Sequence, residues 1–290
     1  MPSLNELVKS IGKQISTPDF LDFNGIKIIP SQLNIIGARP GMGKTAFMLF
    51  MLQTFMAQTS KGMLYISNEE KENNLFKKLA CQVSSIPFAN IDSHLNEVTS
   101  DNTILSRENI FLKYIVTSWE KLKLKIIKEI KEHNISCLFI DKLQGLYSES
   151  SFEHQAEEIK FILQDIKNLA VEFNLIIVAS SSLNRQVDRR EGKLPELSDL
   201  RGSGSIEEIS DIVFLLHRPE YYGITEDESM NSLVGIAEVK VPKNRLGLSG
   251  DFIFQFDKTI PQFKQYEKEE KIVSDEYNPK QEQSKRDIPF

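Results

Sequence analysis

Residues 38–45 read ARPGMGKT and stand between the apolar run LNIIG and the apolar stretch AFMLFML. No other feature of the chain constrains its fold as tightly. Such a loop turns backbone N–H groups inward on phosphate, and it works only where a buried strand delivers it and a helix N-terminus receives it. The spacing fits the phosphate-binding loop, with alanine in place of its first glycine. Gly41 and Gly43 let the backbone turn, Lys44 reaches the β- and γ-phosphates, and Thr45 holds magnesium. ATP and Mg2+ are the expected ligands. Ala38, Arg39, Pro40, Gly41, Met42, Gly43, Lys44, Thr45 and Ala46 form the expected nucleotide-binding stretch.

The rest of the chain agrees with that loop. Apolar runs of strand length alternate with longer helix-period segments, the pattern of a parallel sheet with crossover helices. Strands are expected near 33–37, 62–67, 110–116, 136–140, 175–179 and 211–216, and helices near 44–59, 70–84, 118–133 and 152–173. Beyond Pro219, VGIAEVKVPK and DFIFQF flank the glycine-punctuated RLGLSG, so the sheet ends in an antiparallel hairpin. The expected class is α/β: a mainly parallel twisted sheet with helices on both faces and antiparallel strands at its C-terminal edge. Leu4, Leu7, Val8, Ile11 and Ile15 predict an amphipathic helix ahead of this core, and STPDFLDFNG reads as a connector into the first buried strand. After Glu267 the chain is polar and aperiodic, the composition of a disordered tail.

The start MPSLNELVKS lacks the pattern of a signal peptide, and the longest apolar run falls far short of a membrane span. With only Cys81 and Cys137, no disulfide framework is available, and a cytoplasmic protein with no membrane contact is expected. Thirty-five basic against 41 acidic residues leave a net charge of −6, so the surface as a whole cannot attract nucleic acid. Any DNA contact must be local or arise by assembly.

Ligands of such sheets sit at the carboxyl ends of the strands. There CLFID places Asp141, either to orient magnesium-bound water or as a helix N-cap. LYISNEE places Glu69 and Glu70, where a carboxylate can polarise an attacking water or remain a solvated glutamate. IIVASSSLNR brings Ser180, Ser181, Ser182, Asn184 and Arg185, which can contact phosphate or cap a turn. Lys243 and Arg245, two apart in VPKNRLG, share one face of a strand and can present paired charge to a γ-phosphate or guard an edge.

Taken in order, ARPGMGKT, ISNEE, LFIDKLQ, SSLNR, SDLRGSGSIE and KNRLG resemble the C-terminal RecA-like ATPase domain of the DnaB family of hexameric replicative DNA helicases. The resemblance spans residues 17–265, with 1–16 as an N-terminal linker helix and 266–290 as the tail. It implies a RecA-like core, and it makes Lys44 and Thr45 the phosphate-loop pair, Glu69 the catalytic glutamate and Asp141 the magnesium-orienting aspartate. Lys243 and Arg245 become cations donated in trans to a neighbour's γ-phosphate within a homo-hexamer. The segment SDLRGSGSIE is similar to the channel loop that grips single-stranded DNA, Arg201 pairing with a phosphate while Gly202 and Gly204 allow close backbone approach.

Several positions depart from the family pattern. Ser182, counted with the nucleotide-binding residues, replaces a glutamine that senses the γ-phosphate, Lys78 an arginine near the nucleotide, and Gly202 an acidic residue. The usual N-terminal helical collar, which contacts primase, is not expected. The chain ends DIPF, similar to the C-terminus of bacterial single-stranded-DNA-binding proteins, which implies recruitment of replication proteins or a helicase loader. The leading expectation is a ring-forming, ATP-dependent helicase core that translocates on single-stranded DNA and unwinds duplex during replication. The other is a DNA-stimulated ATPase that binds or remodels replication complexes without unwinding.

Overall fold

The computed structural model describes residues 20–99, 105, 109–247 and 249–266 of the chain. The expected helix at 4–15 and the DIPF end of the tail lie outside the described residues. A hairpin comes first: β1 (Leu21–Phe23) and β2 (Ile26–Ile28) pair antiparallel around Asn24 and Gly25. Both turn residues have positive φ, 51° and 81°, as a two-residue primed turn requires. The stretch read as a plain connector is therefore partly strand. Its Asn-Gly pair was the available signal.

From there β3 (Gln32–Ala38) leads into α1 (Lys44–Met56), β4 (Gly62–Ser67), α2 (Glu72–Ser84), the short α3 (Leu95–Val98), β5 (Ile110–Tyr114) and α4 (Trp119–His133). Then follow β6 (Ile135–Asp141), α5 (Gln155–Glu172), β7 (Ile176–Ser182), α6 (Ser203–Ile209), β8 (Ile212–His217), β9 (Ile236–Asn244), β10 (Gly250–Asp257) and β11 (Gln262–Gln265). One nine-stranded sheet runs β11-β10-β9-β8-β3-β7-β6-β4-β5. The strands from β8 to β5 are parallel, while β9, β10 and β11 pair antiparallel, as expected for the C-terminal edge.

Every residue of β3, β4 and β7 is buried, because a parallel strand inside such a sheet is covered on both faces. One apolar cluster joins α1, α2 and the β1–β2 hairpin to the sheet, with Phe23 edge-on to Phe47 at 5.5 Å. A second, on the opposite face, takes in Trp119 and Ile126 of α4, Ile162 and Ile166 of α5, and Ile206 of α6. This two-faced packing brings the carboxyl ends of β3, β7, β6 and β4 to one edge, where Ala38 lies beside Ser182 and Ser67 beside Asp141. Among the described residues no helix is long and apolar enough to cross a membrane.

Candidate active site

The loop between β3 and α1 has a built-in demand for glycine. Gly41 and Gly43 have φ of 80° and 96°. A Cβ on Gly41 would lie 2.8 Å from the Tyr221 ring, and one on Gly43 3.3 Å from Phe256. Lys44 Nζ donates to the carbonyls of Ala38 at 3.1 Å and Arg39 at 3.4 Å. Burial pushes the Lys44 pKa down, against the pull of Asp141 and Glu69.

Asp141, the last residue of β6, is buried and accepts three hydroxyl hydrogen bonds. Thr45 Oγ1 donates to Oδ2 at 2.8 Å, the Tyr65 phenol to the same oxygen at 2.9 Å, and Ser180 Oγ to Oδ1 at 2.6 Å. The N-cap alternative thus fails: Asp141 ends a strand, and the next short turn, Leu143–Gly145, is preceded by Lys142. Tyr65 stacks on Phe139 at 5.8 Å, and burial beside Asp141 raises its pKa well above the ordinary phenol value.

Glu69 and Glu70, alike in the sequence, part in the structure. Their backbone N–H groups both donate to Ser67 Oγ, at 3.1 and 2.8 Å. Glu70 turns to α2, where Lys78 donates to it at 2.6 Å. Glu69 stays exposed at the mouth of the site and pairs with Lys142.

At the end of β7 the Ser180 and Ser181 hydroxyls are committed locally, and Ser182 through its backbone. Gln144 accepts from the Ser182 N–H at 3.0 Å and donates to Ser181 Oγ at 2.8 Å. Asn184 caps the Arg185–Arg189 turn by accepting from the Gln186 N–H at 2.8 Å, which is the turn-capping alternative. Arg185 is exposed.

Arg201 is exposed and its N–H donates to the Ser182 carbonyl at 3.2 Å. The segment expected to be a loop is helical from Ser203, since Ile206 and Ile209 bury against the second cluster. Gly202 precedes α6, with space for a Cβ limited by Ile159 at 3.3 Å, and Gly204 lies in α6 with open space around it.

Lys243 and Arg245 lie elsewhere. β9 lies between β8 and β10, but its ladder with β10 ends at Val241, so Lys243 pairs across to β8 and Arg245 follows the end of the strand. The ladder to β8 shifts register around Pro242, where a strand tolerates proline. Lys243 Nζ donates to the carbonyls of Glu207 and, at 2.6 Å, Ser210, while Arg245 donates to the Glu208 carbonyl. Both cations therefore sit at the C-terminal end of α6. Their register runs Asn244 to Ile212 to Asn34, at the amino ends of the parallel strands. The phosphate loop leaves the carboxyl end of the same β3. The structure thus brings Lys44, Thr45, Asp141 and Glu69 together and holds Lys243 and Arg245 apart from them.

Sequence reasoning missed Tyr65, Gln144, Asp188 and Arg218. Arg218 is buried with its guanidinium 4.0 Å above the Phe256 ring, and it donates to the Gly41 carbonyl at 3.4 Å. A cation closing the apolar run IVFLLH was its only signal.

Residues 21–265 match the family model of the DnaB-like helicase C-terminal domain. The chain belongs to that family. This DnaB-like chain is 31% identical over 234 residues to a probable plasmid replicative DNA helicase of Chlamydia psittaci, covering 78% of this chain and 50% of that protein. It is also 31% identical over 243 residues to the replicative DNA helicase DnaB of Geobacillus stearothermophilus, covering 80% and 52%. The ATPase domain of G40P superposes with a TM-score of 0.76 at 26% identity, over 92% of this chain and all of that one. A DnaB-like replicative helicase, described with its interactions with primase, gives 0.76 at 26%, over 92% and 68%. The fold is accordingly the RecA-like α/β core, and nucleotide binding comes with membership of the DnaB-like family. The chain spans about half the length of the relatives it matches.

Proposed function

We propose that this DnaB-like domain is the motor of a replicative DNA helicase. It hydrolyses ATP with magnesium, assembles head to tail as a homo-hexamer in the cytoplasm, translocates on single-stranded DNA and unwinds duplex. Residues 17–265 are its ATPase domain, and the flanking segments serve assembly and recruitment of replication partners.

One observation carries this reading. Lys243 and Arg245 sit at the opposite end of the parallel strands from Lys44, Thr45 and Asp141, separated by β3 from Asn34 to Ala38, roughly 13 Å of strand. Cations so placed cannot serve their own phosphate loop, but they can serve the loop of a neighbour.

Within one site, Lys44 binds the β- and γ-phosphates, and Glu69 polarises the attacking water. Among the described residues no three His, Cys, Asp or Glu side chains are grouped to hold a metal unaided. Thr45 and Asp141, 2.8 Å apart, suit magnesium, which takes few protein ligands and completes its shell with phosphate and water. Bound there, magnesium neutralises charge on the phosphate oxygens. Arg201, Gly202 and Gly204 face single-stranded DNA, and six such loops around one pore would give a positive channel inside an acidic particle. The names of the relatives favour this reading over an ATPase that does not unwind.

The test is steady-state ATP hydrolysis with and without single-stranded DNA, for wild type, Glu69→Gln and Arg245→Ala, followed by strand unwinding. DNA stimulation abolished by both substitutions is expected. Turnover that stays at background with DNA present sinks the motor reading.

A further inference from the structure

The phosphate loop is fastened to a second segment by a two-pronged ion pair. Arg39 Nε donates to Asp188 Oδ1 at 3.1 Å and Nη2 to Oδ2 at 2.7 Å, while Nη1 donates to the Leu183 carbonyl at 3.2 Å. Fork-to-fork pairing fixes orientation as well as distance. Asp188 is held from other directions too. The Tyr222 hydroxyl donates to Oδ1 at 2.9 Å, and Lys193 Nζ donates to the Asp188 carbonyl at 2.6 Å.

Asp188 belongs to a cross-braced segment, 183–201, whose two ends are pinned at the end of β7. The Leu183 N–H donates to the Ala38 carbonyl at 3.2 Å, the Asn184 N–H to the Asp199 carbonyl at 2.7 Å, and the Arg201 N–H to the Ser182 carbonyl at 3.2 Å. Leu183 bridges Leu200, and Arg190 crosses the middle to Asp199 at 2.9 Å. Glu196 and Asp199 close a capping box at the far end. Arg39 therefore grips one side of a braced body that presents Arg201 on another.

We propose that Asp188 is a positioning residue that couples nucleotide to DNA, by making the phosphate loop and the Arg201 segment move together. Phosphate held at residues 38–45 then sets how Arg201 meets single-stranded DNA, and DNA on Arg201 sets how the loop meets phosphate. Asp188→Asn leaves the shape and the Tyr222 partner in place, but it removes the charge and turns an amide donor toward the guanidinium donors. The inference rests on the DNA-translocating reading above.

Coupling between two binding sites is reciprocal, and that gives a test independent of turnover. Using the full chain, the affinity for a fluorescent oligonucleotide is measured with and without a non-hydrolysable ATP analogue, and the affinity for the analogue with and without oligonucleotide. In wild type each ligand changes the affinity for the other by the same factor, about 5- to 150-fold being the usual span. In Asp188→Asn the factor falls toward one, Asp188→Glu restores most of it, and Tyr222→Phe, which keeps both Arg39 bonds, retains it. Melting temperatures report whether each variant is folded. A wild-type factor in Asp188→Asn overturns the coupling and leaves the helicase reading standing. Equal loss in the Asn and Glu variants with a common drop in melting temperature overturns it as well, assigning Asp188 to structure alone. Absence of DNA binding by wild type overturns both.

Discussion

At the scale of single residues, the site is organised around one buried carboxylate with three hydroxyl donors. Replacing Tyr65 with Phe removes the phenol hydrogen bond to Asp141 and leaves the Phe139 stack, so Tyr65→Phe is expected to lower stability by about 1.5–3 kcal/mol, the worth of a bond to a charged group. Urea unfolding measures it. A second residue-level expectation concerns His217, buried, stacked on Tyr222 at 5.8 Å and near Lys240. Burial, aided by Lys240, pushes its pKa down to about 4, while the unfolded imidazole titrates near 6.5. The unfolded state then binds more protons between these values, so this contribution is complete above pH 6.5 and is lost as pH falls toward 4. The loss amounts to roughly 3 kcal/mol. His217→Gln should flatten that part of the stability profile, read as the difference from wild type at each pH. The place of Asp141 at a strand end was legible because the apolar run CLFI before it is the mark of a buried parallel strand. Tyr65 was not, since a phenol within such a run looks like core, and Asp188 was not, because its partner is 149 positions away.

At the scale of elements, α6 and β9 carry the features that periodicity could not place. The interior strands were legible because two-sided burial demands unbroken apolar runs. α6 was not, because its seven residues open with Ser, Gly and Ser and look like a loop until Ile206 and Ile209 find the second cluster. The β1–β2 hairpin escaped because its strands are three residues each, too short to alternate visibly. Strand period two did foresee that Lys243 and Arg245 act on one side. It did not foresee that they would rest on the last carbonyls of α6. Their placement makes an expectation for mixtures. Lys44→Ala lacks a working phosphate loop but keeps the cations, and Arg245→Ala has the reverse defect. Each alone should be nearly inactive, an arginine supplied in trans being worth about 10³- to 10⁵-fold. Mixed and allowed to exchange subunits, the two should regain ATP hydrolysis at interfaces that pair an intact loop with an intact Arg245. No recovery in exchanged mixtures would overturn donation of the cations in trans.

At the scale of the whole molecule, the proposed grip on DNA turns on charge and assembly. With a net charge of −6, one copy has little general attraction for a polyanion, so affinity should depend on a few local contacts. Arg201→Ala is expected to weaken single-strand binding with little regard to base sequence. It should also reduce the slope of log affinity against log salt by about 0.7 for each phosphate that is no longer neutralised. Titrations at several salt concentrations measure this, and an unchanged slope would remove Arg201 from the DNA surface. The opposition of phosphate loop and cation pair across the sheet has a further consequence. In the proposed head-to-tail assembly the contact joins unlike edges and so has a direction, and every added subunit would leave one donor end and one acceptor end unsatisfied until the series bends back on itself. The angle between successive copies, rather than the strength of any one contact, then decides between a closed circle and an open spiral. A subunit blocked on one edge alone would act as a chain terminator, stopping growth in one direction while still occupying its neighbour.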